Sequence, residues 1–347
     1  MKKSLMAVAL VGAFAGVAQA QTSVQIYGNL DAGIQKRSGD TLSIGKRSAN
    51  TLGFKGTEEL GNGLKALFQL EIRYEPDTGT VENGNRPLFQ GQSRVGLQGD
   101  FGMVRIGRGV TPYQETVGAF EPWRGIPTVS GFYTDLAVAG YNSAPLEPAG
   151  YSNNRWSNAF WYNSPVTSGF QLNAAIATKE GAGSNGRAVG QYPAGAEASA
   201  NPFSISATYN NGPAALMLGY ERNAVETKVW SVGGSFLATP ELKLTALYTR
   251  QDQENTAAAL LLPGTKTNAW VLGANYTMGP GKVLVGYGQK DPDNFVKTKQ
   301  MSLGYEYSLS KRTYLYIDAS RKKGPLNTID RTERSINYYD LGINHSF

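Results

Sequence analysis

Apolar and polar residues alternate along most of this chain with a period of two. Near the N-terminus Val24, Ile26 and Leu30 share one parity, whereas Gln25 and Asn29 share the other. The same alternation recurs in segments 64–74, 170–176, 203–209, 242–248, 301–307 and 339–347. Because successive side chains of a β-strand point to opposite faces, these segments are predicted to be strands with one apolar and one polar face. Many runs approach the ~9–11 residues of a tilted membrane-spanning strand, whereas soluble strands average ~5–6 residues.

The connections between these segments alternate between short and long. Segments 60–63, 99–102, 210–213, 239–240 and 279–281 are rich in Gly, Asn or Pro, which favour tight reversals. Between them lie longer polar segments at 35–43, 76–88, 110–153, 180–201, 250–266, 290–298 and 322–335, and a shorter one near 222–227. Short turns at one rim and long loops at the other are typical of outer-membrane barrels. We therefore predict an all-β fold, a transmembrane antiparallel β-barrel of about sixteen strands.

The first twenty residues have the features of an export signal. Lys2 and Lys3 precede a short apolar stretch at 5–17, and Ala18-Gln19-Ala20 is a small-x-small cleavage site. This arrangement predicts a secretory signal peptide at 1–20 and a single barrel domain at 21–347. An outer-membrane location follows from the signal and the strand pattern together.

The composition excludes several kinds of chemistry. The chain has no cysteine, which rules out thiol catalysis and cysteine metal sites, and no metal-ligand or phosphate-loop spacing suggests a metal or a cofactor. Without Lys2 and Lys3 it carries 31 basic and 27 acidic residues, a net charge of +4 whose scattered bases do not indicate nucleic acid. The only histidine is His345, whose parity points to the apolar face. Because barrel enzymes usually need a histidine with a serine or carboxylate partner, we expect no catalytic residues.

A set of motifs gives the chain a family resemblance. They are segments 24–28 (VQIYG), 52–66 (LGFKGTEELGNGLKA), 68–71 (FQLE), 95–102 (VGLQGDFG), 106–108 (IGR) and 111–112 (TP), and a last strand that ends in Phe347. In this order and spacing the chain resembles the general diffusion porins of Gram-negative bacteria, most closely the β-proteobacterial and neisserial group. The resemblance implies a sixteen-stranded barrel, usually a homotrimer, whose third outer loop folds inward and narrows the pore.

The resemblance also implies partners and an activity. Phe347 matches the terminal aromatic residue that the family presents to the outer-membrane assembly machinery. The barrel is expected to contact membrane lipid and lipopolysaccharide, and to pass ions and small hydrophilic solutes through a water-filled lumen. A channel selective for one solute, such as a sugar, phosphate or an organic anion, is the alternative, because lumen geometry sets specificity.

Charged side chains at the constriction are the candidate site, because rings of charge set ion selectivity. By resemblance, segment 110–153 is the constriction loop, with Glu115 and Glu121 as its acidic candidates, and Arg108 and Arg155 match arginines of the family's basic wall. Parity supports Arg155, because Trp156, Phe160 and Tyr162 are expected on the opposite face. Parity is against Arg108 unless a bulge occurs at Gly107 or Gly109.

Further charged residues have lumen parity or lie near the pore mouth. Lys55, Glu71, Arg73 and Arg94 face the polar side of their predicted strands, and Arg47 lies at the mouth of the second strand. Thr51 stands where the family often has an arginine, so either Arg47 or Arg94 replaces that charge or the basic wall is thinner in this chain. These bases and the net charge of +4 favour a weak anion preference.

Overall fold

The structure is a computed structural model that describes residues 23–84, 86–147, 151–179, 199–253, 266–325 and 332–347. The predicted signal peptide lies outside these residues, as do most of segment 180–201 and parts of 250–266 and 322–335. Seventeen strands form one antiparallel sheet. They are β1 (Ser23–Arg37), β2 (Ser43–Gly45), β3 (Asn50–Gly61), β4 (Leu64–Tyr74), β5 (Gln92–Gly99), β6 (Gly102–Val110), β7 (Arg155–Asn163), β8 (Phe170–Ala177), β9 (Phe203–Asn211), β10 (Ala214–Arg222), β11 (Lys228–Leu237), β12 (Leu242–Asp252), β13 (Lys266–Met278), β14 (Gly281–Pro292), β15 (Thr298–Ser308), β16 (Thr313–Gly324) and β17 (Arg334–Ser346).

The sheet closes into a sixteen-stranded barrel, as predicted. The short strand β2 pairs with residues 33–35 of β1, and β3 pairs with residues 23–29 of the same strand. The two segments together therefore occupy one position in the barrel. The barrel closes where β1 pairs with β17, and the backbone N–H and C=O of Phe347 bond to Gly28 at 3.1 Å each. A Cβ at Gly28 would lie 2.4 Å from the Phe347 ring, so this motif glycine leaves the space that the terminal ring occupies at the seam.

Side-chain parity within the strands agrees with the sequence. On β1, Val24, Ile26 and Leu30 are exposed on the outer face, and Asp31 is fully buried on the inner face. Exposed apolar side chains recur on the outer face of every long strand except β4, whose apolar residues are half-buried, and they form the lipid-facing band expected of a membrane barrel. The short connections fall at one rim and the long ones at the other, which confirms the predicted alternation. No helix in the described part of the chain is long and apolar enough to cross a bilayer.

The longest connection runs from residue 111 to residue 154 and is named loop 3 here. It begins with a short helix, α1 (Pro112–Val117), followed by one 3-10 turn (Gly118–Phe120). Thr111 caps α1 by accepting a hydrogen bond from the Gln114 N–H at 3.3 Å, and Pro112 provides the preset φ of a first helical residue. Loop 3 packs against the inner faces of β8–β12 and beyond, so it folds into the barrel as the resemblance implied.

Candidate pore constriction

Loop 3 lies against a part of the barrel wall that is rich in inner-face glycines. Apolar groups of the loop cover these glycines on β10, β11, β13, β14 and β15, at Gly219, Gly233, Gly273, Gly286, Gly288 and Gly304. The closest approach is at Gly273, where a Cβ would lie 1.9 Å from Pro122 Cγ. A Cβ at Gly286 would lie 2.5 Å from the Phe132 ring. The glycines therefore allow the loop to press flat against this wall and leave the opposite half of the lumen open.

Polar contacts fix the loop to the same wall. Gln300 donates from Nε2 to the Val129 carbonyl at 3.1 Å and to the Gly131 carbonyl at 2.9 Å, and Asn275 donates to the Pro122 carbonyl at 3.0 Å. Buried carbonyls of a loop are not paired within a helix or sheet, and leaving them without a hydrogen bond costs free energy. The side chains of Gln300 and Asn275 supply these bonds and so hold the loop on the wall.

Ion pairs anchor loop 3 to the barrel wall near the rim that carries the long connections. Asp135 accepts from both Lys290 on β14 and Lys322 on β16. Burial alone would raise the pKa of Asp135, but the two ammonium groups outweigh it and hold that pKa well below its usual value. Asp135 is therefore ionised throughout the physiological range and keeps the loop attached to these two strands.

Glu121 holds the inner turn of the loop together. Its carboxylate is 1 % exposed and accepts from the backbone N–H of Gly125 at 2.6 Å and of Trp123 at 2.9 Å. Burial raises the pKa of Glu121 to about 7, although these N–H groups lower it. The structure thus places this predicted constriction acid inside the loop and away from the open lumen.

Between loop 3 and the wall formed by β3–β7 lies a cavity of about 850 Å³. Its lining includes seven basic side chains, Lys46, Arg47, Arg73, Arg86, Arg124, Arg155 and Lys243, and two acidic ones, Glu82 and Glu115. The basic side chains come from both sides of the cavity. Arg124 belongs to loop 3 and Lys243 to strand β12 of the wall behind it, and the others lie on or above the opposite wall. Among the described lining residues the basic side chains outnumber the acidic ones, and the two kinds are not divided into a basic and an acidic half.

Glu82 is neutralised by the bases around it. It pairs with Lys46 at 2.8 Å, with Arg73 at 3.0 Å and with Arg86. Burial would raise the pKa of Glu82, but Arg73, Lys46 and Arg86 outweigh it and keep the pKa below its usual value. Burial also lowers the pKa of Arg86. Glu75 also pairs with Lys46 at 2.8 Å, so two carboxylates face three cations at the outer mouth and the cluster keeps one excess positive charge.

Two predicted arginines lie lower on this wall. Arg155 is 7 % exposed, lines the cavity, and donates from Nε to the Gly91 carbonyl at 2.7 Å. Arg94 is held by Gln69, whose Oε1 accepts from Nε at 3.0 Å and from Nη2 at 2.9 Å. Its remaining Nη1 has no hydrogen bond and lies 3.8 Å from Glu115 of α1. Glu115, with 37 % of its side chain exposed, is the loop 3 carboxylate that faces this wall.

Arg47 lies in the lumen but its charge is compensated. Its Nε donates to Asp318 at 2.8 Å and its Nη1 to Glu306 at 2.9 Å, and its guanidinium lies 4.8 Å from the centre of the Tyr316 ring. Burial lowers its pKa, but the two carboxylates outweigh burial and raise it. Arg47 therefore ties the segment between β2 and β3 to the far wall and adds little free charge to the pore.

Arg108 sits at a bulge, as its parity required. The β6–β7 register shifts between Gly107 and Gly109, and Gly107 has a φ of +130°. A Cβ there would lie 2.1 Å from the Ser93 carbonyl oxygen, so only glycine fits this approach. Arg108 donates to Glu147 at 2.9 Å and to the Gln90 carbonyl at 3.0 Å, so it fastens loop 3 to the preceding outer loop outside the described cavity lining.

The expected position of Trp156 was wrong. Its ring is 3 % exposed, packs on the inner face with Trp161 and Ala175, and donates from Nε1 to the Ser143 carbonyl at 2.8 Å. Asn158 has a φ of +51°, which interrupts the alternation, so Trp156 before it turns to the inner face. Phe160 after it remains on the outer face. The parity argument for Arg155 therefore fails, although Arg155 does line the cavity.

Of the remaining sequence candidates, Lys55 and Glu71 lie on the basic wall and Phe347 lies at the barrel seam. Lys55 extends over the Tyr27 ring at 5.1 Å, and Glu71 accepts from the Tyr27 hydroxyl at 3.1 Å, both on the wall that carries Arg94. Phe347 lies at the barrel seam, and its ring stacks with that of His345. Among the described residues no group of three His, Asp or Glu side chains is placed to hold a metal ion.

Several bases were missed by the sequence reasoning. Arg124 has a φ of +59° and donates to Glu306 at 2.7 Å, so it projects from the loop that was expected to be acidic. Arg105 is 7 % exposed on the inner face of β6 and bonds to Asn163 at 2.6 Å. Its parity was a usable signal, because it is opposite to that of Val104 and Ile106. Lys243 carried the same signal, because its parity is opposite to that of Leu242 and Leu244, whereas Lys46 and Arg86 gave none.

Comparisons with known proteins agree with this architecture. The sequence profile of the Gram-negative porin family matches residues 7–325. Outer membrane porin protein 32 of Delftia acidovorans is 33% identical over 341 residues, which cover 91% of this chain and 88% of that protein. Major outer membrane protein P.IB of Neisseria gonorrhoeae is 28% identical, covering 93% of this chain and 94% of that one. The solved anion-selective porin from Comamonas acidovorans superposes with a TM-score of 0.75 at 25% identity, covering 94% of this chain and all of that one.

The barrel, the inward loop and the charged cavity are together explained by a water-filled channel across a membrane. A closed barrel with a lipid-facing outer band and a polar interior spans a membrane and encloses water. The chain belongs to the Gram-negative porin family and forms an outer-membrane channel through which ions and small hydrophilic solutes diffuse passively.

Proposed function

We propose that this porin prefers anions. The observation that carries the proposal is the lining of the cavity beside loop 3, with seven basic and two acidic side chains. Glu82 is already shared among three of these cations, and Glu115 faces Arg94. Inside a narrow lumen with low-dielectric walls such an excess raises the local anion concentration and repels cations. The anion selectivity named for the Comamonas acidovorans porin supports the same assignment.

We assign the selectivity to the basic side chains of the wall and to Arg124, which shares the carboxylate of Glu306 with Arg47. Arg73, Arg155 and Arg94 form the basic wall, and Lys55 and Arg105 continue it along the inner faces of β3 and β6. Arg108, Glu121 and Arg47 hold loops in place, and Glu71 orients Tyr27. Ions pass between the wall and loop 3, and no covalent bond is made or broken. His345 does not take part, because it contacts Thr313 at 2.8 Å on the periplasmic half of the outer face, away from the lumen.

Neutralising one wall charge tests the proposal. Arg155→Gln keeps a donor near the Gly91 carbonyl and removes one positive charge from the cavity lining. The chloride-to-potassium permeability ratio should fall by up to about fivefold, because a unit charge at about 4 Å in water is worth ~1 kcal/mol. Arg312→Gln, in the exposed turn at the opposite rim, loses the same charge outside the cavity and should leave the ratio unchanged. A ratio unaffected by Arg155→Gln, or current block by a single solute at low concentration, would favour a substrate-specific channel.

The assembly and processing of the chain complete the proposal. Residues 1–20 are removed as a secretion signal, and Phe347 is read by the assembly machinery. The mature chain forms a homotrimer through the outer face of β1, β5 and β6. That face is aliphatic, with Leu30, Ile34, Val95, Leu97 and Ile106 exposed, which suits burial against another copy of the chain. Molar mass measured by light scattering in detergent distinguishes a trimer from a monomer.

A further inference from the structure

A short segment between β2 and β3 leaves the sheet and enters the lumen. Residues 30–32 of β1 lie between the part that pairs with β2 and the part that pairs with β3, and residues 46–50 lie opposite them. The opposite chain therefore has two excess residues, and excess residues must bulge out of the ladder. The bulge is directed inward, because Arg47 reaches Asp318 on the far wall at 2.8 Å. Segment 46–49 is named the strap here.

The side chain of Asn50 takes the place of the missing strand partner of Asp31. Its Oδ1 accepts from the Asp31 N–H, and its Nδ2 donates to the Asp31 carbonyl at 3.1 Å. A paired strand would supply the same two bonds from its backbone, and a buried backbone group that lacks them costs free energy. The backbone of β1 is therefore bonded at Asp31 even though the strap has left the sheet.

The carboxylate of Asp31 fixes the conformation of the strap. It is fully buried and accepts from the Arg47 N–H at 2.7 Å and from the Ser48 hydroxyl at 3.2 Å. The wall supplies two further donors, the Tyr316 hydroxyl at 2.8 Å and Asn344 Nδ2 at 2.9 Å. Hydrogen bonds to an ionised carboxylate are among the stronger ones in proteins. Asp31 therefore sets the direction in which the Arg47 side chain leaves the strap.

The guanidinium of Arg47 meets the inner turn of loop 3 at two carboxylates of the wall. Asp318 accepts from Arg47 Nε at 2.8 Å and from Trp123 Nε1 at 3.1 Å. Glu306 accepts from Arg47 Nη1 at 2.9 Å and from Arg124 Nη2 at 2.7 Å. Arg47, Asp318 and Trp123 are each at most 1 % exposed. Strap, wall and loop are therefore in closed contact at this junction.

We infer that the strap is a second constriction element, and that Asp31 is the positioning residue through which Arg47 seals the junction between loop 3 and the wall of β15 and β16. Loop 3 covers the glycines of the wall on one side, and the strap lines the cavity on its other side. Ions are then confined to the passage between loop 3 and the basic wall. Without Arg47, Asp318 and Glu306 are buried charges that lack a cation, which favours entry of water and separation of loop and wall.

Single-channel recording and the exclusion of neutral polymers test the strap. Arg47→Gln removes the bridge, so brief current steps above the main level should become about tenfold more frequent, because hydrogen bonds between charged groups are lost. The largest poly(ethylene glycol) that enters the pore should also increase in size. Arg47→Lys keeps the charge but has fewer donors, and it should give a smaller increase of both. Polymer entry reports the width of the passage and does not depend on which ion the pore prefers.

Asp31→Asn tests the positioning role. The described partners of the Asp31 carboxylate lie on the strap, β16 and β17, so any effect on loop 3 has to pass through Arg47. Asp31→Asn should therefore produce the same additional steps, and Asp31→Asn/Arg47→Gln should show no more of them than Arg47→Gln alone. Asp40→Asn, in the exposed connection between β1 and β2, makes the same change and should behave like the unaltered protein.

Three results would overturn the inference. The first is an unchanged step frequency and polymer size in Arg47→Gln, or in Arg47→Lys if the glutamine variant does not fold. The second is a simple sum of the two effects in the double variant, because the two residues would then act independently. The third is a changed chloride-to-potassium permeability ratio with an unchanged polymer size, which would show that Arg47 acts through its charge alone. The electrophoretic mobility of unheated protein verifies that each variant forms a closed barrel.

Discussion

At the scale of single residues, we expect Glu115 to limit how much of the wall charge is available to permeating ions. It faces the unbonded Nη1 of Arg94 at a distance of 3.8 Å, too long for a hydrogen bond and short enough for attraction. Glu115→Gln should therefore raise the chloride-to-potassium permeability ratio, by up to about fivefold for a charge at this distance in water. Asp100→Asn, in the turn between β5 and β6, is the matched control. A ratio that falls or stays constant in Glu115→Gln contradicts this role.

Glu121 should make the attachment of loop 3 depend on pH. Its pKa is about 7 in the folded loop, because burial raises it above the ~4.3 of a free glutamate. The folded loop holds the proton more tightly, so this stabilising contribution is complete below about pH 4.3 and is lost as the pH rises to about 7. We expect current noise from loop motion to increase between pH 5 and pH 8. In Glu121→Gln, which cannot ionise, the noise should be independent of pH over this range; the same pH dependence in both proteins would disprove the assignment.

Parity predicted residue positions correctly only where the strand is regular. Arg73 and Arg94 were placed on the inner wall by simple alternation, and the required bulge was found beside Arg108. Trp156 was misplaced because Asn158 adopts a left-handed conformation, which alternation does not reveal. The burial of Glu121 depends on a turn of loop 3 in which the backbone N–H groups of Trp123 and Gly125 donate to its carboxylate, and the alternation of apolar and polar residues does not indicate such a turn.

At the scale of elements, loop 3 and the glycines of the wall determine the width of the pore. A Cβ at Gly273 would overlap Pro122, with 1.9 Å to its Cγ, so Gly273→Ala must push the inner turn away from β13. Overpacking of this kind costs about 1–3 kcal/mol. Because the open cavity lies on the far side of the loop, we expect a lower single-channel conductance.

Gly234→Ala is the control for this substitution. Gly234 lies on the outer face of β11, where the nearest atom to a new Cβ is 3.4 Å away. Its conductance should equal that of the unaltered protein. If Gly273→Ala conducts as well as the control, the loop is not held at the spacing that the structure shows.

The elements themselves were largely predictable from the sequence, because strand length, turn residues and loop length are local features. The path of loop 3 inside the barrel was inferred from family resemblance alone. Its physical cause is the match between its bulky side chains, such as Trp123 and Phe132, and glycines on distant strands such as Gly304 and Gly286. That match appears only when the barrel has closed and brought the strands together.

At the scale of the whole molecule, the net charge of the chain is a poor guide to the field in its lumen. The excess of six positive charges, or four without Lys2 and Lys3, is mild, and many bases face outward or lie at the rims. The fold concentrates seven bases around one cavity and confines the nearby carboxylates to ion pairs or to the interior of loop 3. The proposed anion preference therefore depends on closure of the barrel and on the inward loop together.

The zero-current potential of the purified protein in a planar bilayer, under a tenfold potassium chloride gradient, tests this account most directly. The account predicts a potential whose sign shows chloride to be more permeable than potassium. The preference should weaken as the salt concentration rises, because salt screens the wall charges. A potential of the opposite sign would show a cation-preferring pore and would contradict the assignment of selectivity to the basic wall and Arg124.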